Sequence, residues 1–260
     1  VAYELAKPTI IPSFVIAICF GFVSQNILSY ITTNTIALSM LTIIGATLIL
    51  FGGGLETPFT RFRSLIGPIS SLAFVGTVIT ALTFSLTLTG VTSWMHIAMP
   101  LSAVVLLGIS LASTDPAAII PSFKTLLFRN ARVKHIAVSE SALNDVIGAL
   151  ITGIFLVLFV ADYAPSSIFE AYKILLTFDN VLAIIKVIFI GAAAGIAGYY
   201  ILNTWSKWKE QMDSEGEADA ALFLAVPLFT FTVATIFGGN GFLAVFIAGL
   251  LFQLRSHVAH

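Results

Sequence analysis

Cysteine is almost absent: Cys19 is the only one in 260 residues. An internal disulfide is excluded, and no Cys/His group has the spacing of a zinc site. Charge is nearly as scarce. Asp, Glu, Lys and Arg make up 10% of the chain, against roughly 25% in soluble domains. The net charge of -1 says nothing about partners, and without a basic face beyond a few loops nucleic-acid binding finds no support. There is no glycine-rich phosphate loop and no repeat at solenoid periods. No initiator Met or cleavable signal sequence precedes the opening VAYELAKPTI, and a chain cut from something longer is expected.

Apolar residues fill the space left by charge. They make up 58% of the chain, and the mean hydropathy is +1.03. This is the composition of an integral membrane protein. A spanning helix needs about 20 mainly apolar residues. Such runs are expected at about 9–29, 35–55, 65–90, 97–122, 134–161, 180–204, 219–238 and 241–256. The fold class is therefore an all-α, polytopic membrane helix bundle of about eight spans, with residues 1–260 as a single transmembrane domain. Glycine and proline fall inside these runs, as spanning helices tolerate.

The connecting segments alternate in basic charge. SQNILSYITTNT and TSWMH carry none. Arg61 and Arg63 follow the second span, and Lys124, Arg129, Arg132 and Lys134 precede the fifth. Lys207 and Lys209 follow the sixth, Lys7 precedes the first and Arg255 closes the last. The positive-inside rule puts these basic segments, and both chain ends, in the cytoplasm. Only Lys173 and Lys186 fall elsewhere. The polar stretch NTWSKWKEQMDSEGEADA reads as a cytoplasmic connector with an interfacial helix anchored by Trp205 and Trp208.

Against this background the ionisable residues inside spans stand out. They are Asp115, Glu140, Asp145 and Lys186. Each costs at least ~2.5 kcal/mol at a helix centre, and such residues usually mark an ion pathway or proton relay. The bland alternative is a buried polar pair that glues helices together. Three acids on two consecutive spans exceed what that glue needs. Lys186 lies near the outer end of its span, where its long stem reaches the surface by snorkelling.

The fourth span contains GISLASTDPAAIIPSF. Pro116 lacks an N–H and its ring clashes with the carbonyl of Ala112, and Asp115 before it is pushed away from helical angles. Gly108, Ser113 and Thr114 loosen the same stretch. A broken helix at membrane depth survives only inside protein or beside a watery cavity. Its freed carbonyls and the Thr114 hydroxyl are oxygen ligands, which suit hard cations.

The fifth span adds SESALNDVIGALI. At about 100° per residue, Glu140 and Asn144 share one face, and Ser141 and Asp145 the adjoining one. Asn144 is placed to hydrogen-bond Glu140, and Ser141 to set a hydroxyl beside Asp145. Burial and like charge both penalise a lone anion. An acid there is neutralised by a proton or by a small cation, and the two compete.

STDPAAI followed by ESALND on the next span resembles the sodium/proton exchanger family, in the electroneutral branch of the cation:proton antiporters. LFGGGLETPF is similar to a glycine motif of that family at the end of an earlier helix. The resemblance implies an inverted-repeat antiporter fold of twelve or thirteen spans, with a broken helix at the TDP motif, so the chain is expected to be incomplete at both ends. It implies that Asp145 alternately binds cation and proton. Ser141, Glu140, Asp115 and Thr114 resemble the other members of the site, with Asp145, Ser141 and Thr114 as monovalent-cation ligands. Asn144 and Pro116 take supporting parts. An Asn, rather than a second Asp, before Asp145 resembles the one-for-one exchangers.

The expected function is exchange of Na+, or Li+, for one proton, with no cofactor beyond the transported ion. The alternative is a K+/H+ or mixed-cation antiporter, because ligand type alone does not separate these ions. The implied partners are the lipid bilayer and a second copy of the chain, as a homodimer. The implied location is a bacterial or archaeal plasma membrane. An ion channel would use the same acids but show flux without counter-transport. An intramembrane aspartyl protease resembles a YD and GxGD pair, and neither motif is present. No enzyme is expected.

Overall fold

The computed structural model describes residues 13–114, 131–161, 163–211 and 217–256. Among the described residues there are helices and connecting turns but no strand. In chain order they are α1 (Ser13–Val23), α2 (Gln25–Thr33), α3 (Thr35–Glu56), α4 (Phe59–Ser71), a π-helical turn (Leu72–Gly76) and α5 (Thr77–Trp94). Then come α6 (Leu101–Ala112), α7 (Ala131–Val160), α8 (Ile168–Lys173), a 3-10 turn (Ile174–Leu176), α9 (Phe178–Gln211), α10 (Glu217–Ile236) and α11 (Gly241–Ser256). Four stretches are long and apolar enough to cross a membrane: Thr35–Glu56, Phe59–Trp94, Ser139–Val160 and Phe178–Trp208. Leu101–Ala112, Phe223–Ile236 and Gly241–Leu254 are shorter apolar helices. Backbone groups in hydrocarbon must be satisfied within the segment, which only a helix achieves with one strand of chain.

Three boundaries depart from the expectation. SQNILSYITTNT, expected as a loop, is mostly helix α2. Its hydroxyls fold back onto the helix, Ser29 Oγ donating to Asn26 O at 2.8 Å and Thr33 Oγ1 to Ser29 O at 2.7 Å. Polarity therefore does not interrupt it. Asn34 does, at φ -90° and ψ 98°, and its side chain then caps α3 by accepting from Ala37 N at 3.1 Å. The expected third span, 65–90, begins earlier and ends later. Only Thr57 and Pro58 separate α3 from α4, so Arg61 and Arg63 stand in the first turns of a helix. Lastly, Trp205 and Trp208 are not on a separate interfacial helix. They lie on the last turns of α9, which runs unbroken to Gln211, with no proline in it and no glycine after Gly198.

Pro68 sits inside α4, and the π-helical turn follows one turn later, packed on α7 through the fully buried Ala73. A missing N–H and a resetting of the hydrogen-bond ladder belong together. The chain reverses after α5 at His96, which holds the left-handed φ of 55°.

Two packed regions result. In one, α5, α6 and α7 enclose Ala81, Val105, Ile109, Ile151 and Phe155, and α8 closes it with Ala171 and Tyr172. In the other, α3, α9 and α10 surround α11, with Phe51, Leu202, Val226, Val245 and Ala248 between them. Apolar side chains gain little by leaving lipid, so close backbone approach must hold such helices together. Gly54 and Gly249 supply it at the α3–α11 crossing. A Cβ on Gly54 would meet the Phe246 carbonyl and lie 2.8 Å from Leu250 N, and one on Gly249 would meet the Phe51 carbonyl. The LFGGGLE stretch is thus where α3 seats on α11. Leu143 on α7 packs against the first region and against Leu50, Phe246 and Leu250 on α3 and α11. That places the polar part of α7 at their junction.

Candidate functional site

Helix α6 stops at Ala112. Ser113 is extended, with φ -76° and ψ 138°, and Thr114 continues without helical bonds. Helix α6 thus ends just before the residues at which the proline reading expects a break. Asp115 and Pro116 themselves lie outside the described residues, so the structure speaks for Ser113 and Thr114 alone. Helix α7 passes alongside and presents Glu140, Ser141, Asn144 and Asp145 over little more than one turn.

Asn144 is the hub. It is 3% exposed, and both ends of its amide are fully used. Its Oδ1 accepts from Thr114 N at 3.0 Å and from Ser113 Oγ at 2.8 Å. Its Nδ2 donates to Thr114 Oγ1 at 2.9 Å and to Glu140 Oε1 at 3.0 Å. One buried side chain thus satisfies the backbone N–H that the helix break sets free and orients the Glu140 carboxylate. Ser141 is fully buried. Its Oγ donates to Thr114 O at 2.6 Å and accepts from Thr114 Oγ1 at 3.2 Å.

Helical spacing alone puts Ser141 beside Asp145. Its hydrogen bonds instead go to Thr114, across the α6–α7 contact. The hydroxyl that meets Asp145 is Ser113, whose Oγ lies against Asp145 Oδ1. Sequence reasoning counted Ser113 only among the residues that loosen α6. The available signal was its place as the first residue past the break, next to Thr114. Glu140 and Asp145 are both half-buried. The structure therefore brings together Thr114, Glu140, Ser141, Asn144 and Asp145, and adds Ser113.

Chemically the site is a group of hydroxyl, carbonyl, amide and carboxylate oxygens on a membrane helix and a non-helical segment. Such donors suit an alkali cation and offer nothing to soft metals. No group of three or more His, Cys, Asp and Glu residues that could hold a metal ion occurs among the described residues. Lys186 is exposed on α9.

Residues 1–260 match the family described as sodium/hydrogen exchanger, transmembrane. A curated relative, the K(+)/H(+) antiporter NhaP of Alkalimonas amylolytica, is 29% identical over 229 residues. The alignment covers 82% of this chain and 36% of that protein. The chain thus spans about a third of the length of the curated relative it matches. Matched over its whole length, the chain belongs to the sodium/hydrogen exchanger family of integral membrane transporters, a family of cation/proton antiporters and not of enzymes.

Proposed function

We propose that the complete protein exchanges one monovalent cation for one proton at Asp145. The observation that carries this is the junction of the α6 break with α7. There Asp145 sits half-buried beside Ser113, Thr114 and Asn144, in a setting of oxygen donors at membrane depth. The carboxylate holds a cation or a proton, and binding of one expels the other. A neutralised site crosses as the protein alternates between inward- and outward-facing states. A bare anion does not, because its desolvation cost is too great. Asn144 bears no charge, so a single carboxylate at this position carries a single exchange per cycle.

Thr114 and Ser141 complete the ligand set with Asp145 in this reading. Glu140 and Asp115 are the flanking acids, and Asn144 and Pro116 support them. The transported ion is Na+, with Li+ as a congener, following the family's description. A K+/H+ exchange is the second reading, favoured by the printed activity of the relative from Alkalimonas amylolytica. The protein works as a homodimer in a bacterial or archaeal plasma membrane, with the ends of this chain in the cytoplasm.

The test is cation-driven proton movement by the full-length protein in proteoliposomes, with Na+, Li+ and K+ in competition. Asp145→Asn is expected to abolish exchange of all three. An Asp145→Asn protein that still exchanges would sink the reading.

A further inference from the structure

Two serines are candidates for the hydroxyl beside Asp145, and their hydrogen bonds separate them. Ser141 Oγ is engaged twice with Thr114, as donor to its carbonyl and acceptor from its hydroxyl. Ser113 Oγ lies against Asp145 Oδ1 and 2.8 Å from Asn144 Oδ1. A serine hydroxyl has one proton and two lone pairs. Ser113 therefore donates to one of these two acceptors at a time.

The seat for Ser113 is built. Gly148 on α7 is buried, and a Cβ there would lie 3.3 Å from Ser113 Cβ and 3.5 Å from its Oγ. The absence of a side chain at Gly148 lets the first residue past the α6 break close onto α7, one turn beyond Asn144. Seat, break and carboxylate thus converge on one hydroxyl.

We propose that Ser113 is a further residue of the cation site, one that orients the Asp145 carboxylate and turns its oxygen to the bound ion. This rests on the reading of Asp145 as the exchange site. Without a cation, the Ser113 proton points to Asp145. With a cation at Asp145, the proton turns to Asn144 Oδ1, already within reach, and an oxygen lone pair faces the ion. No backbone movement is needed. An alkali cation accepts a hydroxyl oxygen readily and sulfur poorly, so the near-isosteric Ser113→Cys change removes the ligand while keeping the shape.

The experiment titrates Na+, Li+ and K+ in proton exchange by the full-length protein in proteoliposomes. Ser113→Ala, Ser113→Cys and Asp145→Asn are compared with the parent. Both Ser113 variants are expected to raise the apparent KM for the transported cation about ten-fold or more, the change that follows loss of a hydrogen bond to a charged group. The maximal rate should stay within about two-fold of the parent, since Asp145 still accepts the proton. If Ser113→Ala does not assemble, Ser113→Cys alone decides. An unchanged KM in Ser113→Cys, or a fall in maximal rate at constant KM, overturns the assignment. If Asp145→Asn is inactive in the same experiment, the exchange site at Asp145 stands and Ser113 alone is ruled out. If Asp145→Asn is active, it is the site reading that fails.

Discussion

Replacing Asn144 by Ala tests how much of the site rests on one amide. The change removes hydrogen bonds to Ser113 Oγ, Thr114 N, Thr114 Oγ1 and Glu140 Oε1. Polar interactions between membrane helices average about 0.6 kcal/mol each, whereas typical net values in proteins reach about 1 kcal/mol. The loss is then about 2.5–4 kcal/mol. The upper half is favoured, because Thr114 N is a backbone donor freed by the helix break and Asn144 is almost fully buried. For a protein of this size or larger, 1 kcal/mol moves the Tm by about 2–4 °C. A fall of about 5–15 °C is expected when the full-length protein is melted in detergent. Pairing Asn144→Ala with Ser113→Ala should lower the Tm by less than the two single changes together, since the residues share a bond. A melting point within 2 °C of the parent would refute the assignment of Asn144 as the hub.

Two other changes follow from particular contacts. Thr47 is fully buried on α3, and its Oγ1 has no hydrogen-bond partner among the described residues. The near-isosteric Thr47→Val is expected to raise stability by about 1 kcal/mol in chemical unfolding, and a loss of similar size would contradict it. Outside the spans, Glu170 accepts from Ser166 N at 2.7 Å and from Ser166 Oγ, while Ser167 Oγ caps Glu170 N at 3.2 Å. The bonds from Ser166, then the nearby Lys173, hold its carboxyl below the usual carboxylate value. Its contribution to the start of α8 is complete above that usual value and lost as pH falls through the lowered one. A fall in amide protection at Ala171 and Tyr172 on acidification, measured against the intrinsic exchange rate at each pH, should report it, and Glu170→Gln should remove that pH dependence.

Much of the architecture was legible because the bilayer tolerates few alternatives. Runs such as 134–161 and 241–256 name their helices almost to the residue, since an apolar stretch of that length must be helical in lipid. The errors came where local chemistry and helix formation do not conflict. Ser29 and Thr33 look like loop residues, yet their hydroxyls are satisfied inside α2. Trp205 and Trp208 look like an interfacial anchor, yet nothing between Phe178 and Gln211 ends the helix. In the site, i, i+4 spacing sufficed for the Asn144–Glu140 bond because both lie on one helix. It did not suffice for Ser141, whose partner lies on another.

Composition and order of residues by themselves determine that the chain is helical, that it belongs in a membrane, and that α6 is interrupted near the acids at the start of the α7 span. These are local matters, decided by hydropathy, by the geometry of proline and by the 100° turn of a helix. Only the tertiary structure decides which oxygen faces which. It brings Ser113, not Ser141, against Asp145, because Gly148 leaves room for the end of α6 and Asn144 bonds it there. That choice depends on two helices meeting across a gap a side chain would fill, and no spacing along one helix encodes it.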